Sequence, residues 1–177
     1  MNIIGGVSGK PADVNDENEL IVRAITESEL EHASAKNGSA FSWVSADGDI
    51  AAGETRLFIK NTGNTTLVLD RITVLPSNVA CDWSINIGKT TTTPAGTEIA
   101  GVNISQNGKV AEALAYDDET AVADGLPIDY IHSETTGTIQ HSLDGIVLQK
   151  GHYIQVNQET ESTSGRVVII GHFENPD

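Results

Sequence analysis

The chain is predicted to fold as an all-β domain, a sandwich or barrel, behind an N-terminal arm. Three observations carry this. From Phe41 onward, short apolar–polar alternations recur, separated by turn residues at a spacing of roughly 8–14 positions. No helical pattern alternates with these runs, which argues against a parallel α/β sheet. Before Phe41 the alternation is missing, and the chain runs Val14-Asn15-Asp16-Glu17-Asn18-Glu19-Leu20-Ile21-Val22-Arg23-Ala24-Ile25-Thr26-Glu27-Ser28-Glu29-Leu30-Glu31. An acidic segment with an apolar centre cannot bury Leu20, Ile21, Val22 and Ile25 by itself, so they must pack on the domain or on a partner.

Residues 1–39 are read as the arm and 40–177 as the β domain. Gly5, Gly6, Gly9 and Pro11 make residues 1–12 a loose terminus. Residues 18–25 fit an extended strand. Ser28-x-x-Glu31 is a capping box, and Asn37-Gly38 is a stop, so one short helix is expected over 27–36. In the β domain, Ser39 to Ser45 places Phe41 and Trp43 on one face, and Asp47-Gly48-Asp49 reads as a turn. Arg56 to Asn61 is a strand, and Thr62-Gly63-Asn64-Thr65 turns into a long strand from Leu67 to Leu75. There Leu67 and Leu69 share one phase, whereas Ile72 and Val74 share the other. A β-bulge near Asp70-Arg71 reconciles them, and Pro76 ends the strand. Asp82 to Ile87 turns Trp83, Ile85 and Ile87 inward. Glu98 to Ser105 puts Ala100, Val102 and Ile104 on one face. Asn107-Gly108 signals a hairpin returning through Val110 to Tyr116. Asp117 to Pro127 reads as an acidic turn region. Strands over 128–134, 137–149, 151–158 and 166–173 complete the set, with Gly151 and Ser162 to Gly165 as turns. Periodicity does not separate a jelly roll from an immunoglobulin-like sandwich, although the Cys…Trp…Cys pattern of the latter is absent.

Charge narrows the partners. The 177 residues hold 25 acids against 10 bases, a formal net charge of −15. Nucleic acid and anionic membranes need clustered Lys and Arg, so neither is an expected partner. Aromatics are only 5% of the chain, so the core must be aliphatic. Cys81 is the lone cysteine, which excludes an internal disulfide and places a small hydrophobe at a strand edge. No run of 18 apolar residues occurs. Met1-Asn2-Ile3-Ile4-Gly5-Gly6 lacks the basic and long apolar regions of a secretory signal, so synthesis in a cytoplasm is expected.

Chemistry is sparse. His32, His132, His141, His152 and His172 form no H-E-x-x-H, H-x-H or Cys/His spacing, although His132 and His141 lie on neighbouring segments. Asp47-Gly48-Asp49 and Asp117-Asp118-Glu119 lack the spaced oxygens that calcium requires. No G-x-S-x-G occurs, and Gly5-Gly6-Val7-Ser8-Gly9-Lys10 lacks P-loop spacing. Trp43, Trp83, Tyr116, Tyr130 and Tyr153 mostly sit in strand-like runs and are expected in the core or an interface. No catalytic residue, cofactor or metal is assigned.

Three segments carry a resemblance. They are the arm Glu19 to Ser34, the stretch Gly53-Glu54-Thr55-Arg56-Leu57-Phe58-Ile59-Lys60-Asn61-Thr62-Gly63-Asn64-Thr65-Thr66-Leu67-Val68-Leu69-Asp70-Arg71-Ile72, and Lys150-Gly151-His152-Tyr153-Ile154-Gln155-Val156 followed by Val168-Ile169-Ile170-Gly171-His172-Phe173-Glu174. In this order the chain resembles the jelly-roll cement, or head-decoration, proteins of tailed bacteriophages. The resemblance implies a jelly-roll-like antiparallel sandwich with an arm. It implies a non-enzymatic homotrimer on the outside of the virion head, bound to the major capsid protein. Leu20, Ile21, Val22, Arg23 and Ile25 are then the candidate capsid contacts. The alternatives are a receptor- or glycan-binding fibre or tail-associated domain, favoured by exposed aromatics around a groove, and a small hydrolase, favoured by facing carboxylates in a cleft. With no ligand set to disturb, EDTA should leave the melting temperature unchanged. A fall of many degrees, reversed by calcium, would contradict the reading of the Asp-rich segments as turns.

Overall fold

Alternating strands bury one face each, and two sheets packed face to face satisfy that demand. The computed structural model has this architecture. It describes residues 4–5, 10–11, 38–50, 53–76, 79–91, 95–119, 125–135, 137–159 and 163–174. Two short strands near the N-terminus, β1 (Ile4–Gly5) and β2 (Lys10–Pro11), pair as an antiparallel ladder, where sequence predicted a loose terminus. The predicted helix over 27–36 and the capsid-contact candidates Leu20, Ile21, Val22, Arg23 and Ile25 lie outside the described residues.

The sandwich is built from β3 (Ala40–Val44), β4 (Gly48–Ile50), β5 (Glu54–Asn61), β6 (Thr66–Pro76), β7 (Cys81–Lys89), β8 (Thr97–Ile99), β9 (Val102–Asn103), β10 (Ala113–Glu119), β11 (Leu126–Ser133), β12 (Ile139–Leu148), β13 (His152–Gln158) and β14 (Thr163–Glu174). One sheet runs β11-β7-β13-β5-β10-β8, and the other β12-β6-β14-β3-β9, with β4 also on β14. Numbered in chain order, the strands β3, β5, β6, β7, β11, β12, β13 and β14 take the order 1-8-3-6 in one sheet and 2-7-4-5 in the other. That is the jelly-roll arrangement, so topology decides what periodicity left open. Strands β8, β9 and β10 form an excursion between β7 and β11 that extends both sheets.

The core lies between the sheets. Phe41, Trp43, Leu57, Ile59, Leu67, Leu69, Ile72, Val74, Trp83, Ile85, Ile154, Val156, Val167 and Ile169 are buried there, as is Cys81. Phe41 and Trp43 pack with Phe173 at ring-centroid distances of 5.6–6.5 Å, which ties β3 to the end of β14. Trp83 reconciles its N–H with burial by donating to Ser133 Oγ at 2.8 Å.

The predicted bulge lies at Asp70. Ile170 faces Arg71 and Gly171 faces Leu69, so Asp70 is an extra residue in β6. On the other side, residues 143–145 of β12 span the same point. The shift keeps Leu67 and Leu69, and Ile72 and Val74, all facing the core.

Four expectations change. Glu98 to Ser105 is two strands in two sheets, β8 on β10 and β9 on β3. The crossing passes Gly101, where an added Cβ would lie 2.6 Å from Trp43 Nε1. Residues 48–50 and 163–165, which overlap the turns expected at 47–49 and 162–165, pair with each other and prolong β14. Their turn-forming composition yields to cross-strand hydrogen bonding. β10 likewise continues through Asp117 to Glu119, and the Asp117 carboxylate accepts the Ala46 N–H at 2.6 Å, linking the two sheets.

At Gly171 an added Cβ would lie 2.5 Å from the Val68 carbonyl oxygen, so the strands at the bulge can approach only without a side chain there. Gly171→Ala should cost about 1–3 kcal/mol and lower the melting temperature by roughly 3–10 °C. An unchanged melting temperature would show that the bulge tolerates wider spacing.

Candidate interaction surface

The two outer faces differ. On the β5–β13 side, Phe58, Tyr153 and Tyr116 form a second cluster that is itself buried, with Phe58 and Tyr153 rings 5.0 Å apart. Gly88 admits Tyr153, since a Cβ there would meet the phenol oxygen at 2.5 Å. The centre of this face is thus already covered, while Tyr130 on its β11 edge is exposed.

The outer face of β12-β6-β14-β3-β9 is open and aliphatic. Register aligns its outward residues in cross-strand rows. Val44, Val168 and Thr73 form one row, continued by Gln140. Val102, Ser42, Ile170 and Arg71 form the next. His172, Val68 and Val147 form the third. Val44 is 42%, Val147 47% and Val102 63% exposed, and Ile104 beside β9 is also exposed. Within these rows Arg71 is the one formal charge apart from the imidazole. β-branched side chains suit a pleated surface, and here they leave it apolar on a chain of net charge −15.

His172 anchors one end of this face. The bulge brings Asp70 beside it, and both ring nitrogens face carboxylates: Nδ1 with Asp70 Oδ2 and Nε2 with Glu174 Oε1, each at 3.0 Å. An ionised carboxylate only accepts hydrogen bonds, so both bonds form together when both nitrogens donate, and the arrangement favours the imidazolium form. Burial pulls its pKa down, but the hydrogen bonds and charges of Asp70 and Glu174 push it up by more, leaving it above the usual imidazole value. The strand pattern hid this site, because its partners are 102 residues apart in sequence.

Among the described residues, the other histidines do not combine. His132 and His141, neighbours in sequence order, each meet their own carboxylate. His132 Nδ1 lies 2.6 Å from Asp82, whose hydrogen bond raises the imidazole pKa, but both groups are more than half exposed. His141 Nε2 lies 2.6 Å from Asp129 and bridges β12 to β11, one edge strand from each sheet. Beside that bridge opens a cleft of about 470 Å³, walled by Ile87, Ile128, Leu143 and Ile146. Among the described residues no group of three or more His, Cys, Asp or Glu is arranged to hold a metal ion. Trp43, Trp83, Tyr116 and Tyr153 are interior, as expected, while Tyr130 is 66% exposed on β11.

No family model and no curated protein matches the chain. Among solved structures, Eiger TNF from S. frugiperda is similar over 73% of this chain and 96% of its own, at 9% identity and TM-score 0.28. The hydroquinone 1,2-dioxygenase from Sphingomonas sp. TTNP3 with 4-hydroxybenzoate bound is similar over 99% of this chain and 90% of its own, at 12% identity and TM-score 0.25. Likenesses this distant carry no argument about function.

Because the folded pKa of His172 is raised above an unfolded value of about 6.5, its contribution to stability is fully present below that pH and is lost as pH rises through the folded pKa. The gap in melting temperature between wild type and His172→Gln should therefore be widest at mildly acidic pH and narrow as the pH rises well above the usual imidazole range. A gap independent of pH would mean that the ring does not titrate in this range.

Proposed function

We propose that this protein is a non-enzymatic structural component of a bacteriophage virion. It decorates and stabilises the outer surface of the capsid as a homotrimer and binds the major capsid protein through its N-terminal arm. The observation that supports this most is the exposed aliphatic rows across the β12-β6-β14-β3-β9 sheet, with charges confined to Arg71 and to the ends of the face, on an otherwise strongly acidic chain. Such a face is suited to contact, whereas His132 and His141 pair separately with carboxylates and His172 sits in a buried knot with two. The resemblance adds the setting, since two of its three segments fall on β5–β6 and β13–β14, the paired centres of the two sheets. An acidic exterior also suits a position away from packaged DNA. A receptor- or glycan-binding fibre domain is the second reading. It rests on Tyr130, exposed on β11, the strand that borders the cleft.

Sedimentation at micromolar concentration should report about three chains, and a clean monomer would count against the assembly reading. Each of Leu20, Ile21, Val22 and Ile25 would contribute roughly 1.5–3 kcal/mol if fully buried on the capsid. Deleting residues 1–36 should leave a cooperative, soluble domain that binds capsids orders of magnitude more weakly, with Leu20→Asp plus Val22→Asp behaving alike. A truncated chain that aggregates or unfolds would instead make the arm part of the sandwich.

A further inference from the structure

We infer that the outer face of β12-β6-β14-β3-β9 is the interface between copies of this chain. This rests on the homotrimer reading above and adds which surface closes the assembly. Charge selects a second copy as the occupant. At net −15, two copies repel through most of their surface, and they can approach only where acids are scarce. The rows through Val44, Val102 and Val147 are such a place, with Arg71 as their one formal charge besides His172.

The face also carries opposite charges at separate places. Arg71 projects from its middle and is exposed, and Glu174 lies half-exposed at its His172 end. In a head-to-tail contact about a threefold axis, the Glu174 end of one copy would meet the Arg71 part of the next.

Five strands about 4.8 Å apart, over the five residues that the three rows span at about 3.4 Å each, outline roughly 400 Å² of sheet. That is about half of the ~800 Å² per partner of a stable interface, before the loop carrying Ile104 contributes. The other sheet offers less at its centre, since Phe58 and Tyr153 are already covered within one chain.

The test uses the full chain. Val44→Asp and Val102→Asp, singly and together, would place carboxylates in the rows. Val110→Asp is the control, because Val110 is 85% exposed and lies off both sheets. Sedimentation across a concentration series, with circular dichroism and thermal unfolding as fold checks, reads the outcome. The inference expects wild type and Val110→Asp to associate alike, each Asp variant at least tenfold more weakly, and the pair to be monomeric at micromolar concentration. Should Val44→Asp fail to fold, Val102→Asp decides, since Val102 lies on a two-residue edge strand where a carboxylate is tolerated. A trimer that persists unchanged in both Asp variants overturns the inference and leaves the trimer reading standing. A wild type that is monomeric throughout overturns both.

Discussion

One extra residue in β6 holds together two requirements that an unbroken strand could not meet. Leu67 and Leu69 lie in one alternation phase, Ile72 and Val74 in the other, and all four are buried. With strict pairing, half of them would face solvent, at a cost of roughly 1.5–3 kcal/mol for each side chain left out. Asp70 absorbs the phase change. Its partners adapt on both sides, with Gly171 giving way on β14 and a register shift across residues 143–145 on β12. The same residue then meets His172, so the device that rescues the core also builds the charged knot on the outer surface.

From this register the difference between the two faces follows. Once β14 is locked against β6 and β3, Val168 and Ile170 must point outward beside Val44 and Ser42. A lone domain would gain solubility from polar residues at these positions. Aliphatic side chains there, on a chain whose remaining surface repels copies of itself, make sense as a contact surface. The imidazolium at the edge carries its two carboxylates with it, so that end of the face has no isolated buried charge.

Much of the sandwich was legible in the sequence because the signal is local. The period-two pattern of Trp83, Ile85 and Ile87, the turn at Thr62 to Thr65 and the stop at Pro76 each depend on adjacent residues. The bulge was legible for the same reason, as a change of phase within one strand. What failed was non-local. Residues 48–50 and 163–165 look like turns separately and become strand only by pairing with each other. Glu98 to Ser105 alternates like one strand, yet its two halves join different sheets because Gly101 lets the chain pass Trp43. The interaction surface was hidden too. Alternation opposes Val44 to Phe41 and Trp43, but Val102 read as part of an apolar strand face and is exposed, only the strand order places Val44, Val102 and Val168 on one face, and only the tertiary fold brings Asp70 to His172. The aromatics show the limit of composition: four rings went inside as expected, while Tyr130 has the same strand-like setting and lies on an exposed edge.

An electron-microscopy map of capsids carrying this protein would test the account most directly. The account predicts jelly-roll density in threes on the outer surface. The β12-β6-β14-β3-β9 faces should meet between copies, and density from the arm should run down to the shell. Capsids without such density, or copies joined through the Phe58–Tyr153 side with the aliphatic face turned to solvent, would contradict it.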